Sequence, residues 1–189
     1  MKFAASILLC LMLAVLPMRA TASADHGNDL AEIARVATTM VDGDVCQRIL
    51  TPRALAYMLH PNPRDKWAGG DNYDVDDAAF VATKKTLMRL ALLAPYPVDV
   101  NLWMPLPTTP PQIYVVIRNH YNLSQFWDSE LQQKMPPEMQ QVLSTGRTLT
   151  IRKEPGMVSI LAPVRNSLGQ IVGLVEVVSS TVPPLHDER

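Results

Sequence analysis

Cysteine is nearly absent from this 189-residue chain: Cys10 and Cys46 are the only two. Cys10 lies in an apolar N-terminal run, which leaves Cys46 alone in the remainder and excludes an internal disulfide there. No C-x-x-C-H occurs, so covalent haem of the usual kind is excluded as well. The default for Cys46 is a small buried apolar residue on a helix, with a redox or intermolecular thiol as the alternative. Charge is equally sparse: 17 basic and 18 acidic residues give a formal net charge of −1. A chain so balanced lacks the basic surface that captures nucleic acid. The four histidines, His26, His60, His120 and His186, are scattered without zinc-like spacing. G-x-S-x-G, H-E-x-x-H, a Walker loop and a Cys–His arrangement are all missing. The expected function is therefore binding rather than catalysis, with no cofactor and no metal. A dispersed carboxylate pair is the one catalytic arrangement that sequence leaves open.

Long apolar runs are scarce too. Phe3 to Leu16 is the longest, broken by Ser6, and is short of the roughly 20 residues a spanning helix needs. Lys2 precedes it and Ala22-Ser23-Ala24 follows it, which is the pattern of a secretory signal peptide over residues 1–24 cleaved before Asp25. An uncleaved N-terminal anchor is the alternative. Cleavage removes Lys2 and Arg19, taking the formal charge from −1 to −3. The product is expected to be periplasmic or secreted, with one domain over residues 25–180 and a disordered polar tail over 181–189.

Within that domain, Asn28 to Leu50 has helical periodicity, with Leu30, Ile33, Ala34, Ala37, Val41, Val45 and Ile49 at spacings of three and four. Gly43 interrupts the pattern as a point of loosening or kinking. Thr51-Pro52 reads as a cap and first residue of a further helix to Leu59, which Pro61 and Pro63 stop. Residues 60–74 form a polar loop, and a helix follows to about Leu93. Strands are expected over Val98–Met104 and Ile113–Asn119. Asp128–Ser144 suits a short helical segment broken at Pro136-Pro137. From Arg147 onward the text parses as three strands, with Glu154-Pro155-Gly156 and Asn166-Ser167-Leu168-Gly169 as turns.

The stretch SILAPVRNSLGQIVGLVEVV carries a specific pattern. An apolar strand reaches Ala162-Pro163, a polar turn runs from Asn166 to Gly169, and Ile171-Val172-Gly173 opens another apolar strand. This resembles the closing hairpin of single-Cache domains, the PAS-like extracytoplasmic sensor modules, and the order of elements from Leu30 to Ser179 fits the same layout. The resemblance implies an α+β fold in which a long N-terminal helix packs on one face of a five-stranded antiparallel sheet. The other face, with its loops, would form a ligand pocket. Members of that family normally sit between two membrane helices and feed a signalling domain. Neither a second membrane segment nor an output module is found in this sequence, so direct signalling by the chain is not expected. A membrane receptor or envelope protein is the implied macromolecular partner.

Alternation then sorts the strands. Val98, Val100, Leu102 and Met104 share one side, while Asp99, Asn101 and Trp103 share the other. Regular alternation in the next strand places Ile113, Val115 and Ile117 opposite Tyr114, Val116 and Arg118. In the last two strands Ser159 and Glu176 stand among apolar neighbours. One face is aliphatic; the other mixes aromatic and polar groups, as a small-molecule pocket does. A half-solvated outer face would show the same mixture. The expected ligand site comprises Asp99, Asn101, Trp103, Tyr114, Arg118, Tyr121, Trp127 and Asp128. Trp103, Tyr114, Tyr121 and Trp127 would form walls, Arg118 would hold a ligand carboxylate, and Asp99 or Asp128 would take a donor. A structural ion pair is the alternative for Arg118. Amino-acid-binding Cache domains place an Arg two residues before Trp-Tyr, a spacing this chain lacks. The expected ligand is thus a small organic acid or an amino acid. The other reading is a structural or accessory subunit of an envelope complex that binds no ligand. Asp71 to Asp77 imitates the start of a calcium loop, but Asp77 and Thr83 stand where Gly and Glu are needed, which favours helix capping.

Overall fold

The computed structural model describes residues 22–60, 77–119, 132–152 and 157–180. Most of the expected signal segment, the acidic run Asp71–Asp76 and the tail over 181–189 lie outside them. Helix α1 spans Ala22–Met40, so it begins three residues ahead of the expected cleavage point. No described helix is long and apolar enough to cross a membrane.

The predicted helix over 28–50 is two helices. After α1 the chain breaks at Val41-Asp42, and α2 covers Gly43–Ile49. The break is a capping event: the Asp42 carboxylate accepts from the backbone N–H groups of Asp44 (2.8 Å) and Val45 (3.3 Å). Helix α3, Pro52–Leu59, starts as its sequence predicts, with the Thr51 hydroxyl oxygen accepting from Ala54 N–H at 3.1 Å. Helix α4 covers Asp77–Ala91.

The sheet is antiparallel throughout and has six strands, one more than expected, in the order β3-β2-β1-β6-β5-β4. These are β1 (Asp99–Leu106), β2 (Gln112–Arg118), β3 (Gln132–Lys134), β4 (Leu149–Ile151), β5 (Met157–Arg165) and β6 (Ile171–Ser180). The extra strand, β3, is a three-residue edge strand lying where a helix was predicted; Pro136-Pro137 then opens α5, Pro137–Thr145. Proline at the first helical position loses no hydrogen bond, which is why α5 starts there, shortly after β3. Pro105 and Pro163 are tolerated inside long strands because each lies where one neighbour has ended. β6 pairs with β1 only as far as Trp103, and β4 pairs with β5 only as far as Leu161.

Val100, Leu102 and Met104 of β1, Val175 and Val177 of β6, and Val158, Ile160, Ala162 and Val164 of β5 form one buried cluster with Leu30, Ile33, Ala34 and Ala37 of α1. Cys46 of α2, Phe80, Leu87 and Leu90 of α4, and Tyr114 and Ile117 of β2 belong to it as well. The opposite face has a smaller cluster: Ile113, Leu161 and Leu174 under Met139 and Val142 of α5.

Two glycines are fixed by close approach. Helix α2 docks on the β5–β6 turn so tightly that a Cβ at Gly43 would stand 2.3 Å from the Arg165 carbonyl oxygen and 2.7 Å from Asn166 N. A Cβ at Gly173 would stand 2.7 Å from the carbonyl oxygen of Trp103. The turn itself is held by Asn166, whose side-chain oxygen accepts from Leu168 N–H (3.1 Å) and Gln170 N–H (2.9 Å), while Asp44 accepts from Ser167 N–H at 2.8 Å. Gly43→Ala is expected to lower stability by about 1–3 kcal/mol, because both neighbours are backbone and neither can yield. Leu168→Ala in the same turn, 79% exposed, should change it by less than about 0.5 kcal/mol. Urea denaturation of the two variants checks the pair.

Cys46 is fully buried, and burial pushes its thiol up to about 12; a hydrogen bond with Thr83 acts the other way, and the Asp42 charge adds to the rise. Tyr96 is likewise pushed up to about 12, by burial first and then by the Asp29 carboxylate, to which its hydroxyl donates at 3.3 Å. Both acids keep their protons longer in the folded state. Their stabilising contribution is therefore full below the unfolded values, about 8.5 and about 10, and is lost as pH rises towards about 12. Between pH 8.5 and 10 the thiol acts alone of the two. Cys46→Ala should therefore flatten a stability loss of up to about 1.4 kcal/mol per pH unit in that range. Urea midpoints measured across it are the check, and native Cys46 should react with thiol reagents only at the rate of unfolding.

Candidate functional site

Among the described residues, helix α5 is the one helix on the second face of the sheet. Helix α5 is nine residues long and caps Ile113, Leu161 and Leu174. Above it the strand register sets out the remaining side chains in rows. One row runs Arg118–Asn101–Glu176–Leu161 across β2, β1, β6 and β5. The next runs Asp99–Val178–Ser159–Ile151 across β1, β6, β5 and β4.

Between these rows and the start of α5 lies a partly open cavity of about 220 Å³. Trp103, Ser159, Glu176 and Val178 form its floor; Met139, Glu138, Pro136 and Gln133 come from the α5 side; Ile151 and Met157 close the flank. Glu176 is the centre of its polar chemistry. One carboxylate oxygen accepts from the Trp103 indole N–H at 2.8 Å, the other from the Ser159 hydroxyl at 2.9 Å. The Asn101 amide adds a long contact at 3.5 Å. All three donors are neutral. Among the described residues the one ion pair is Arg35–Glu32, on the exposed side of α1, and no Lys or Arg lines the cavity. The carboxylate is thus positioned by hydrogen bonds while its charge is not offset.

The predicted site residues separate into groups. Trp103 lines the cavity and Asn101 reaches its carboxylate. Asp99 is exposed and lines a different groove, of about 480 Å³, with Tyr96, Pro97, Asn119 and Leu92. Arg118 is exposed at the end of the Asn101 row and does not line the cavity. Tyr121, Trp127 and Asp128 lie outside the described residues.

Tyr114 must be corrected. It is 1% exposed and belongs to the helix-packed cluster, opposite Met104 rather than Trp103. The cause is a β-bulge. Leu102 pairs with Ile117 and Trp103 with Val115, leaving Val116 as an extra residue on β2. An inserted residue reverses the alternation beyond it. Arg118 and Tyr114, two turns of the pleat apart, therefore face opposite sides. Glu176 and Ser159 are the residues that sequence reasoning left out of the site. Their signal was present, a carboxylate inside the apolar strand IVGLVEVV, since a polar residue at a core position is the informative exception.

No family model matches the chain, and no curated protein matches it.

Glu176→Ala would leave the Trp103 indole and the Ser159 hydroxyl without their acceptor inside a partly covered site. The expected cost is about 1–3 kcal/mol, whereas Asn101→Ala, which removes only the long contact, should cost less than about 1 kcal/mol. Urea unfolding of both variants measures the ranking.

Proposed function

We propose that this chain is an exported, PAS-like small-molecule-binding domain of the single-Cache type, a binding protein rather than an enzyme. The observation that supports it is the division of labour between the sheet's faces. One is sealed by helices; the other holds a cavity with an aromatic wall and a hydrogen-bonded carboxylate, the composition of a small-molecule site. An α+β fold with an antiparallel sheet is compatible with the resemblance, although the sheet has six strands rather than five. The ligand is a small organic molecule. Of the two expected classes, an amino acid fits these walls better than a simple organic acid, because Glu176, held by neutral donors, lines the cavity and would repel a lone carboxylate.

A second reading rests on a different observation. Leu92 and Leu93, at 80% and 58% exposure, follow α4 beside the groove that Asp99 lines. Adjacent exposed leucines suit contact with another protein, as an accessory envelope subunit would make.

Thermal denaturation against a panel of amino acids, amines, organic acids and neutral alcohols separates the two. A ligand that binds the folded state stabilises it by RT ln(1 + [L]/Kd), about 2.7 kcal/mol at a hundredfold excess over Kd, and so raises Tm. The expected outcome is a saturable shift with at least one class that disappears in Val178→Trp, which fills the cavity. No shift with any class would leave the accessory reading.

A further inference from the structure

We infer that the cavity beside α5 selects a small organic cation, an ammonium group on an apolar body, with Glu176 as its charge-recognising residue. The inference rests on the small-molecule-binding reading above and names the ligand class for that same site.

Three observations converge. The first is the state of Glu176. A carboxylate has about four lone-pair directions to fill. Trp103 and Ser159 fill two at 2.8 and 2.9 Å, and Asn101 approaches a third at 3.5 Å. Capacity for a further donor remains. Because every donor present is neutral, the negative charge is left for the occupant to balance. The second is the wall. Trp103 is held by its indole N–H on the same carboxylate, which fixes the ring beside the charge. The Trp103 side chain also lines the cavity, so an ammonium group held at Glu176 shares that space with an aromatic neighbour. The third is the rest of the lining. Pro136, Met139, Ile151, Met157 and Val178 supply apolar surface, and no Lys or Arg is among the described residues of the lining. A ligand carboxylate would face Glu176 itself, with no cation among those residues to receive it.

Size narrows the class. About 220 Å³ is below the usual range of drug-sized pockets, so the body is a short alkyl or single-ring group. Methionines at two positions allow the wall to adapt to the shape of that body.

The test uses the chain from Asp25 onward and four probes with one apolar body: isoamylamine, leucine, isocaproate and isoamyl alcohol. Binding is followed by calorimetry at low salt on wild type, Glu176→Gln and Val178→Trp. Circular dichroism and urea midpoints confirm that each variant is folded. Isoamylamine is expected to bind, leucine at least tenfold more weakly, and isocaproate not at all. Glu176→Gln should weaken the amine at least tenfold while keeping a side chain of the same size in place. Val178→Trp should abolish binding; it also decides the matter if Glu176→Gln does not fold. Amine affinity unchanged in either folded variant would overturn the assignment. Isocaproate or the alcohol binding as tightly as the amine would overturn cation selectivity and leave the binding reading standing. If none of the four binds, the cation assignment falls; silence of the wider panel as well would remove the binding reading with it.

Discussion

The pairing of β1 with β6 is the constraint on which the rest of the molecule depends. These strands are far apart in sequence, with Asn101 facing Glu176 across 75 residues, yet they form the centre of the sheet. β2 and β3 attach outside β1, and β5 and β4 outside β6. Their register decides the content of both faces at once. Set as it is, Val175 and Val177 enter the helix-packed core while Glu176 joins Trp103 and Ser159 on the other side. A slip of one residue would place the carboxylate under α1 and two valines in the cavity, so core burial and site chemistry are enforced by the same hydrogen-bond ladder. Gly173 belongs to that register, since only a residue without Cβ lets the Trp103 carbonyl come so close.

A carboxylate on a central strand is costly unless it is hydrogen-bonded. Glu176 is retained through donors from both flanking strands, Trp103 and Asn101 on β1 and Ser159 on β5. The cavity around it follows from the length of α5. Its nine residues end at Gly146, whose left-handed φ of 67° terminates the helix after it has covered Ile113, Leu161 and Leu174. Among the described residues, the rows of the same face beyond α5 carry polar groups. The cavity is thus where a short helix meets a longer sheet, with Glu176 at its floor.

Much of this was legible because it follows from short-range pattern. The apolar spacing from Leu30 to Ala37 marks the buried stripe of α1, and the β1 alternation correctly separates Val100, Leu102 and Met104 from Asn101 and Trp103. The hairpin signal Asn166–Gly169 is confirmed by Gly169 at φ 76° and by the Asn166 side chain bridging the turn. What escaped depends on partners distant in sequence. β3 exists only because Gln112 to Tyr114 of β2 offer it an edge. The bulge at Val116 is invisible within YVVI, where every residue has high strand propensity and no glycine marks the irregularity. Glu176 could be seen as anomalous, but the two donors that make it a site, Trp103 and Ser159, are identified only by the register.

The bulge also resolves conflicting demands within β2. Tyr114 fills the helix-packed core beside Met104, and regular alternation would then send Arg118 to that same core. A guanidinium there would face α4, where Lys84 is already buried and its ammonium is disfavoured by desolvation. Two cations in one apolar layer would both be penalised. The extra residue turns Arg118 outward, and its backbone carbonyl becomes the acceptor for the Lys84 ammonium. One residue further on, Asn119 takes over the ladder with its side chain, accepting from Val100 N–H at 3.1 Å and donating to the Val98 carbonyl at 3.0 Å. The distorted end of β2 is therefore tied to β1 and α4 by side chains where regular pairing stops. This anchoring keeps the irregular strand from loosening the β1 register that positions Trp103 and Glu176.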